Sequence, residues 1–311
     1  MTALFCFFIL SIALPAFGAD YFVNKRGGDG NNGTSRETAF LTIQKGVNAL
    51  KPGDTLAVGP GEYFENVTRA NLGGPDSDTV IRAEVPGTVL LRGDVDVPPF
   101  EKVEGYRFVY GGPLDKTALA VLEHDTLRIL PKRPNLRAVE YEPGTCYYDE
   151  RSKRLYVSSS DLRAPGKRRY TASVNGKSGL NLTKPQRVII EGLAATGFFP
   201  GFGIDLITPT GCSVRGCITF MNQGGIRLND GGSDCVIENC RSYGNTFGGV
   251  ACYRGNNYVV RNCLTYKNTN VKQQGETFGI MHYFGMKGPL LFSNNISWGQ
   301  NFNLSVKPSG Q

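Results

Sequence analysis

Histidine and tryptophan are nearly missing from this chain, with two His and one Trp among 311 residues. General-base chemistry by an imidazole therefore rests on His124 or His282 alone. Long apolar runs are also scarce. The one present, residues 3–17, is short for a membrane span, and Ala16-Phe17-Gly18 closes it with small residues at the two positions a signal peptidase needs. The expectation is a signal peptide over residues 1–18 and no integral membrane segment after its removal. The mature chain is then exported: extracellular, periplasmic or at the cell surface. Acidic side chains thin out towards the C-terminus. Residues 176–311 contain only Glu191, Asp205, Asp230, Asp234, Glu238 and Glu276 against 12 Lys and Arg. That imbalance favours an anionic partner and narrows the choice of carboxylate pairs.

Glycine, by contrast, is abundant at 40 residues, which with many Asn and β-branched residues suits short strands joined by tight turns. One phrase returns four times: Ser213-Val214-Arg215-Gly216-Cys217, Val236-Ile237-Glu238-Asn239-Cys240, Val259-Val260-Arg261-Asn262-Cys263 and Leu291-Phe292-Ser293-Asn294-Asn295. Gly216, Asn239 and Asn262 are 23 residues apart, and Asn294 follows 32 later. A second phrase keeps phase with it: Gly203-Ile204, Gly225-Ile226, Gly249-Val250 and Gly279-Ile280. Self-similarity at 22–24 residues per turn predicts an all-β solenoid, a coiled parallel sheet presenting a long ridged surface suited to extended polymers. Equivalent residues then stack about 4.8 Å apart. Cys212 over Cys235, and Cys217 over Cys240 over Cys263, are too far apart at that spacing for disulfides and point the same way, so they are expected as stacked core thiols rather than a zinc site.

At the start, Tyr21 to Val23 reads as a strand, and Gly27 to Gly33 as a turn-rich loop. Ile43, Val47 and Leu50 mark one face of a short helix stopped by Pro52-Gly53, the expected cap over the open end. The stretch YFVNKRGGDGNNGTSRETAFLTIQKGVNALKPGDTLAVGPGEYFE resembles the opening of secreted right-handed parallel β-helix proteins of the pectate-lyase-like superfamily. The series Asn239, Asn262 and Asn294 resembles that fold's asparagine ladder, in which Asn tolerates a left-handed turn and stacked amides bond between rungs. The resemblance covers roughly residues 19–97 and 185–311. Residues 98–175 break the period and read as a β-rich insert. Within it, PGTCYYDERSKRLYV looks like a hairpin of carbohydrate-active β-helix proteins that carry a β-sandwich insert. The expected organisation is a cap with first turns over 19–97, the insert over 98–175, and β-helix repeats over 176–311. No C-terminal cap is visible, so the repeats are expected to be truncated or capped from elsewhere.

The resemblance implies an acidic polysaccharide as partner, lying along one outer face of a monomer. Export argues against nucleic acid, although Lys167-Arg168-Arg169 is a basic run. In register, Asp205, Arg227, Ala251, Met281 and Ser305 form one outward column, with Asp205 and Arg227 as neighbours in a surface ion pair or with Arg227 as a carboxylate clamp. Two residues on, Asn229, Tyr253, Tyr283 and Lys307 share a column. Lys267 and the insertion carrying Lys272 are candidates for the same cleft. The candidate catalytic set is Arg227, Lys267, His282 and Tyr283, with Asn229, Tyr253 and Lys272 binding substrate. His282, however, aligns with Leu206, Leu228, Cys252 and Val306, which are inward positions. The expected reaction is β-elimination from a uronate, in which Ca²⁺ or Arg neutralises the carboxylate. The alternatives are a hydrolase with a carboxylate pair such as Asp205 and Asp230, and a non-catalytic glycan-binding solenoid. Neither the Asp-Asp with downstream Gly-His-Gly of polygalacturonases nor the Tyr-Gly-x-Asp-Pro-His-Asp of alginate epimerases is present; Tyr243-Gly244-Asn245-Thr246 lacks every acid of the latter.

Overall fold

Successive turns of the chain pair in parallel into three long sheets, and the turns wind as a right-handed β-helix. The computed structural model describes residues 18–269, 277–283, 285 and 288–306. The stretch up to residue 17, where a signal peptide is expected, most of the insertion with Lys272, and Lys307 lie outside them. The first sheet has eight strands, from Asp20–Val23 to Leu290–Ser293. The second has seven, from Gly61–Tyr63 to Ile296–Trp298, and the third seven, from Val67–Ala70 to Phe302–Val306. The two repeated phrases fall in the first and third sheets respectively, each in unbroken register.

Alternation along each strand sends every second side chain inward, so inward residues form columns. In the first sheet one column runs Ile81, Ile190, Val214, Ile237 and Val260, all fully buried. In the second an inward column carries hydroxyls instead, and Thr219 Oγ1 donates to Ser242 Oγ at 2.8 Å. Burying these hydroxyls is tolerable because each finds a partner. Outward on the same sheet, Phe220, Tyr243, Tyr266 and Trp298 stack ring on ring, with centroids 5.3, 4.7 and 5.1 Å apart.

The corners explain the repeated Asn, but not as the sequence suggested. Gly216, Asn239, Asn262 and Asn294 do occupy the left-handed turn, with φ of 59°, 56°, 54° and 53°. The side chains of Asn239, Asn262 and Asn294, however, point to solvent. The residue that follows each one turns inward: Cys217, Cys240 and Cys263 aim their thiols at carbonyls of the preceding rung, and Asn295 Nδ2 does the same to Val260 O at 2.9 Å. The stacked amide ladder lies at the opposite corner, between second and third sheets. There Met221, Gly244 and Lys267 take the left-handed turn and are followed by Asn222, Asn245 and Asn268, all fully buried. Asn222 Nδ2 donates to Asn245 Oδ1 at 3.3 Å, and Asn245 Nδ2 to Asn268 Oδ1 at 3.0 Å. The same oxygens accept from the backbone N–H of Asn222 and Asn245 at 3.0 and 3.1 Å. All seven cysteines among the described residues are free and buried.

Helix Ile43–Ala49 closes the N-terminal end. Its first N–H groups are satisfied from three sides. Thr42 Oγ1 accepts from Lys45 N, Glu65 accepts from Ile43 N and Gln44 N at 2.9 Å each, and Asp29 accepts from Leu41 N and Thr42 N. Ile43 and Val47 then enter the core fully buried, each worth on the order of 2 kcal/mol.

The insert begins slightly earlier than its composition suggests. It leaves the second sheet after Val89–Arg92, and Asp94–Asp96 already pairs with Tyr170–Ser173 inside it. It returns at Leu180–Thr183 in the third sheet, so it replaces one turn at the amide-ladder corner. It consists of two four-stranded antiparallel sheets enclosing Val121, Leu130, Leu155 and Val157, together with helix Leu136–Tyr141, which the sequence did not signal. The expected hairpin is there, with Thr145 opposite Ser158 and Tyr147 stacked on Tyr156. A narrow neck ties it down. Val174 N and Asn175 N both donate to Gly93 O, and a Cβ on Gly93 would lie 2.5 Å from the Phe198 ring. Arg92, itself buried, bonds Asp94, Asp96 and Glu62 across the junction.

Two stability outcomes follow from this arrangement. Asn245→Ala strands acceptors and donors on both neighbouring rungs and lowers unfolding free energy by about 2–4 kcal/mol, whereas Asn239→Gly changes it by less than about 0.5 kcal/mol, since glycine accepts the left-handed turn. Urea titration of both variants at unchanged slope distinguishes them. In the insert, burial and nearby Arg169 push His124, which bonds Thr171 at 2.9 Å, down to about 4, against the opposing carboxylate of Asp94. The unfolded chain therefore takes up a proton first. Stability is full above the ordinary histidine range and falls as pH drops from about 6.5 towards 4, by on the order of 2–3 kcal/mol. His124→Gln removes that portion of the acid-side slope in a melting-temperature series against pH.

Candidate functional site

The outer face of the third sheet carries the columns foreseen from the repeats, and they extend one and two rungs further back. The register runs Thr68, Asn181, Asp205, Arg227, Ala251, Met281, Ser305. Beside it run Thr183, Ile207 and Asn229, and beyond them Tyr253 and Tyr283. At the end nearer the insert this face forms a cleft of about 370 Å³. Its floor is Thr68, Asn181, Asp205 and Arg227, and its walls are the insert's exit segment at Lys177 and Ser178 and the loop Pro200–Phe202.

At the floor lies one ion pair of defined geometry. Arg227 Nε donates to Asp205 Oδ1 at 2.8 Å and Nη2 to Oδ2 at 2.7 Å. The bidentate fit is the one a guanidinium makes and an ammonium cannot. The pair is not the ordinary surface bridge that the sequence suggested, because the Asp205 side chain is only 2% exposed and Arg227 24%. The guanidinium also lies 4.0 Å from the Phe202 ring centroid. Ser178 Oγ donates to Asp205 Oδ2 at 3.4 Å and accepts from Phe202 N at 3.1 Å, which links the wall to the floor. The loop is held from the other side by Ser173, whose hydroxyl bonds both Phe199 O and Phe199 N.

One rung beyond Arg227 the surface changes character. Ala251 and Met281, expected in the outward column with Arg227, are buried under Phe202, Phe278 and the partly buried Phe247. The three rings contact edge to face at 6.2 and 5.7 Å. Tyr253 and Tyr283 pack edge to face at 5.7 Å along the same patch. Burial pushes the Tyr253 hydroxyl up to about 12, with Arg227 pulling the other way, so it keeps its proton at neutral pH. Arg227, Asn229 and Tyr253 are thus brought together on one face.

The remaining candidates are placed elsewhere. His282 lies inside the coil between Cys252 and Val306, 4% exposed, its two ring nitrogens without a hydrogen-bond partner among the described residues, and burial pushes it below the ordinary histidine range. An imidazole there does not reach the outer face. Lys267 occupies a left-handed corner turn, two rungs on from the turn before Arg227. Lys272 is outside the described residues. The basic run is drawn into the insert, where Arg168 pairs with Asp161 and Asp125, and Arg169 with Asp96.

Among the described residues, no group of three or more His, Cys, Asp or Glu gathers to hold a metal ion. The cleft lining contains one carboxylate, Asp205, with both oxygens bonded by Arg227. This donor set does not fit Ca²⁺, which takes several carboxylate and carbonyl oxygens. No helix among the described residues is long and apolar enough to cross a membrane.

Thr68, Asn181, Gln223 and Lys177 were not singled out by sequence. Thr68 and Asn181 were within reach, because extending the Asp205 register backwards lands on them. Lys177 and Gln223 carry no such signal and enter the cleft only through the folding of the insert neck and the Pro200 loop. Replacing Arg227 by Ala leaves a buried carboxylate without its cation and costs about 3–5 kcal/mol, while the double change Asp205→Leu with Arg227→Met recovers most of it. A double-mutant cycle in guanidinium chloride measures that coupling.

A family model for right-handed β-helix regions matches residues 152–306. No curated protein matches the chain by sequence. Among solved structures, XylC in complex with xylose superposes with a TM-score of 0.72 at 14% identity, covering 93% of this chain and 60% of that one. A glycoside hydrolase superposes with a TM-score of 0.64 at 9% identity, covering 91% and 80% respectively. At such identities the likeness is one of fold, a fold that hosts many chemistries. The chain thus spans 60% of the length of the XylC chain it resembles. The three parallel sheets, the corner ladder and the family match together give the chain the fold of a right-handed parallel β-helix.

Proposed function

We propose that the chain is an exported protein that binds an acidic polysaccharide across the outer face of its third sheet and cleaves it by β-elimination. The observation carrying this reading is the chemistry of the cleft. Amides and hydroxyls from Asn66, Thr68, Asn181 and Gln223 suit the hydroxyl groups of a sugar, and Lys177 and Arg227 add positive charge. Its single carboxylate is locked to Arg227, so the described lining offers no pair of the kind hydrolysis uses. The neighbouring XylC was solved with xylose, and another neighbour is a glycoside hydrolase. Both support a carbohydrate ligand for this fold without specifying the reaction.

In an elimination a base, of the Lys or Arg kind that the resemblance implies, takes the proton from C5 of the uronate. The C4–O bond to the leaving oxygen breaks as the C4=C5 double bond forms, and the leaving oxygen takes a proton. Tyr253, protonated at neutral pH and neighbouring Arg227 on the same face, has the properties of that donor. Arg227, held by Asp205 through Nε and Nη2, keeps Nη1 for a substrate oxygen.

Incubating the full chain with pectate, alginate or chondroitin sulfate should raise the near-ultraviolet absorbance of an unsaturated uronate on one of them. Parallel runs with Ca²⁺ and with EDTA establish whether metal contributes. Tyr253→Phe should lower kcat by about 100-fold or more with little change in KM. New reducing ends without the absorbance would replace elimination by hydrolysis, and binding without turnover would leave a glycan-binding solenoid.

A further inference from the structure

We infer that Lys177, not Arg227, is the residue through which the cleft recognises the anionic group of its glycan, a carboxylate or a sulfate. The inference rests on the reading of the cleft given above and assigns its specificity to a residue supplied by the insert neck.

Three observations converge on it. First, the cleft lining holds two cations and one carboxylate. Arg227 is committed to Asp205 through two nitrogens, so the pair meets a ligand as a nearly neutral dipole. The remaining lining side chains are neutral, which leaves Lys177 as the one net charge presented to a ligand. Secondly, the Lys177 side chain is exposed and makes no ion pair or side-chain hydrogen bond among the described residues. Arg69 on helix-end carbonyls, Arg187 with Asp78 and Arg169 with Asp96 are by contrast engaged.

Thirdly, the backbone of Lys177 is held in place although its ammonium is free. Lys177 N donates to Asn175 Oδ1 at 3.1 Å, and Asn175 Nδ2 in turn reaches Asn66 Oδ1 at 3.3 Å. On the other side, Lys177 O packs against Gly201 so closely that a Cβ there would lie 2.4 Å from it. The next residue, Ser178, is bonded to Phe202 N and to Asp205. A rigid backbone carrying one flexible ammonium at the mouth suits a charged substituent on a polymer whose hydroxyls are read by the floor. An ammonium places three donors around a point charge and imposes no planar geometry, so it serves a carboxylate and a sulfate alike.

The test is calorimetric binding by the full chain, with Lys177→Gln and Lys177→Arg as variants. Three oligosaccharide probes separate the sources of charge: an oligouronate, the same oligomer with its carboxyls reduced to alcohols, and a sulfated neutral oligomer. Wild type should bind one acidic probe at least about tenfold tighter than the reduced one. Lys177→Gln should weaken the acidic probe by about tenfold, leave the reduced probe unchanged and flatten the salt dependence, while Lys177→Arg restores the preference. Whichever acidic probe loses affinity identifies carboxylate or sulfate as the anion. If Lys177→Gln keeps the wild-type preference, the assignment is overturned and the cleft reading stands. If wild type binds none of the three, the cleft reading itself is overturned, and this assignment with it.

Discussion

Hydrogen bonding between successive rungs is the constraint from which the rest of this molecule follows. Parallel pairing holds equivalent residues of neighbouring turns about 4.8 Å apart and aims them the same way. Every position therefore becomes a column, and each column must be made of residues that tolerate their own kind above and below. Aliphatic side chains satisfy this inside the first sheet, and hydroxyls that bond one another inside the second. At the corners the same rule selects residues that can reach a carbonyl or amide of the adjacent rung: Asn222, Asn245 and Asn268 on one side, Cys217, Cys240, Cys263 and Asn295 on the other. Thiols and amides serve equivalent positions here because both turn inward after a left-handed residue. The amides bond one another closely along their column, since an amide both donates and accepts strongly and a thiol does so weakly.

The position of the insert decides where that regular surface becomes a site. It interrupts the coil at the corner between second and third sheets, and its neck closes tightly through Gly93, Val174 and Asn175. Its body covers part of the second sheet, where Leu127 packs near Met221 and Phe220. Its exit strand runs directly to Lys177 and Ser178, which form one wall of the cleft on the third sheet. Ser173 and Ser178 then hold the Pro200 loop from both sides. The insert thus serves as part of the cleft wall, and the cleft ends one rung further on, where Phe202, Phe247 and Phe278 cover the outward column.

Electrostatics in this half of the molecule is more internal than its net charge implies. Glu238 lies in register between Arg215 and Arg261 and pairs with both. Asp78 takes Arg187, and Asp205 takes Arg227. The Asp205–Arg227 pair costs desolvation and recovers it through bidentate geometry, the contact with Phe202 and the Ser178 hydroxyl. What it provides is a fixed donor on the floor of the cleft, with the surplus charge displaced to the rim.

The period of the repeats was enough to determine the coil, because a 23-residue recurrence of apolar, glycine and asparagine positions has few physical solutions besides stacked rungs. It also determined the free stacked thiols and the adjacency of Asp205 and Arg227, since register is a matter of counting, while the capping helix was legible separately, in the helical spacing of Ile43, Val47 and Leu50. Which asparagines form the ladder was not legible. Asn239 and Asn245 belong to the same turn of the repeat, and only the direction of the backbone at each corner sends one amide out and the other in. Nor could the sequence give the burial of Asp205, the covering of Ala251 and Met281 by aromatic rings, or the approach of Lys177. Each depends on chain segments far apart in sequence meeting outside the coil. Local periodicity determines contacts between rungs, while contacts across the outside of the coil depend on where the insert and the loops come to rest.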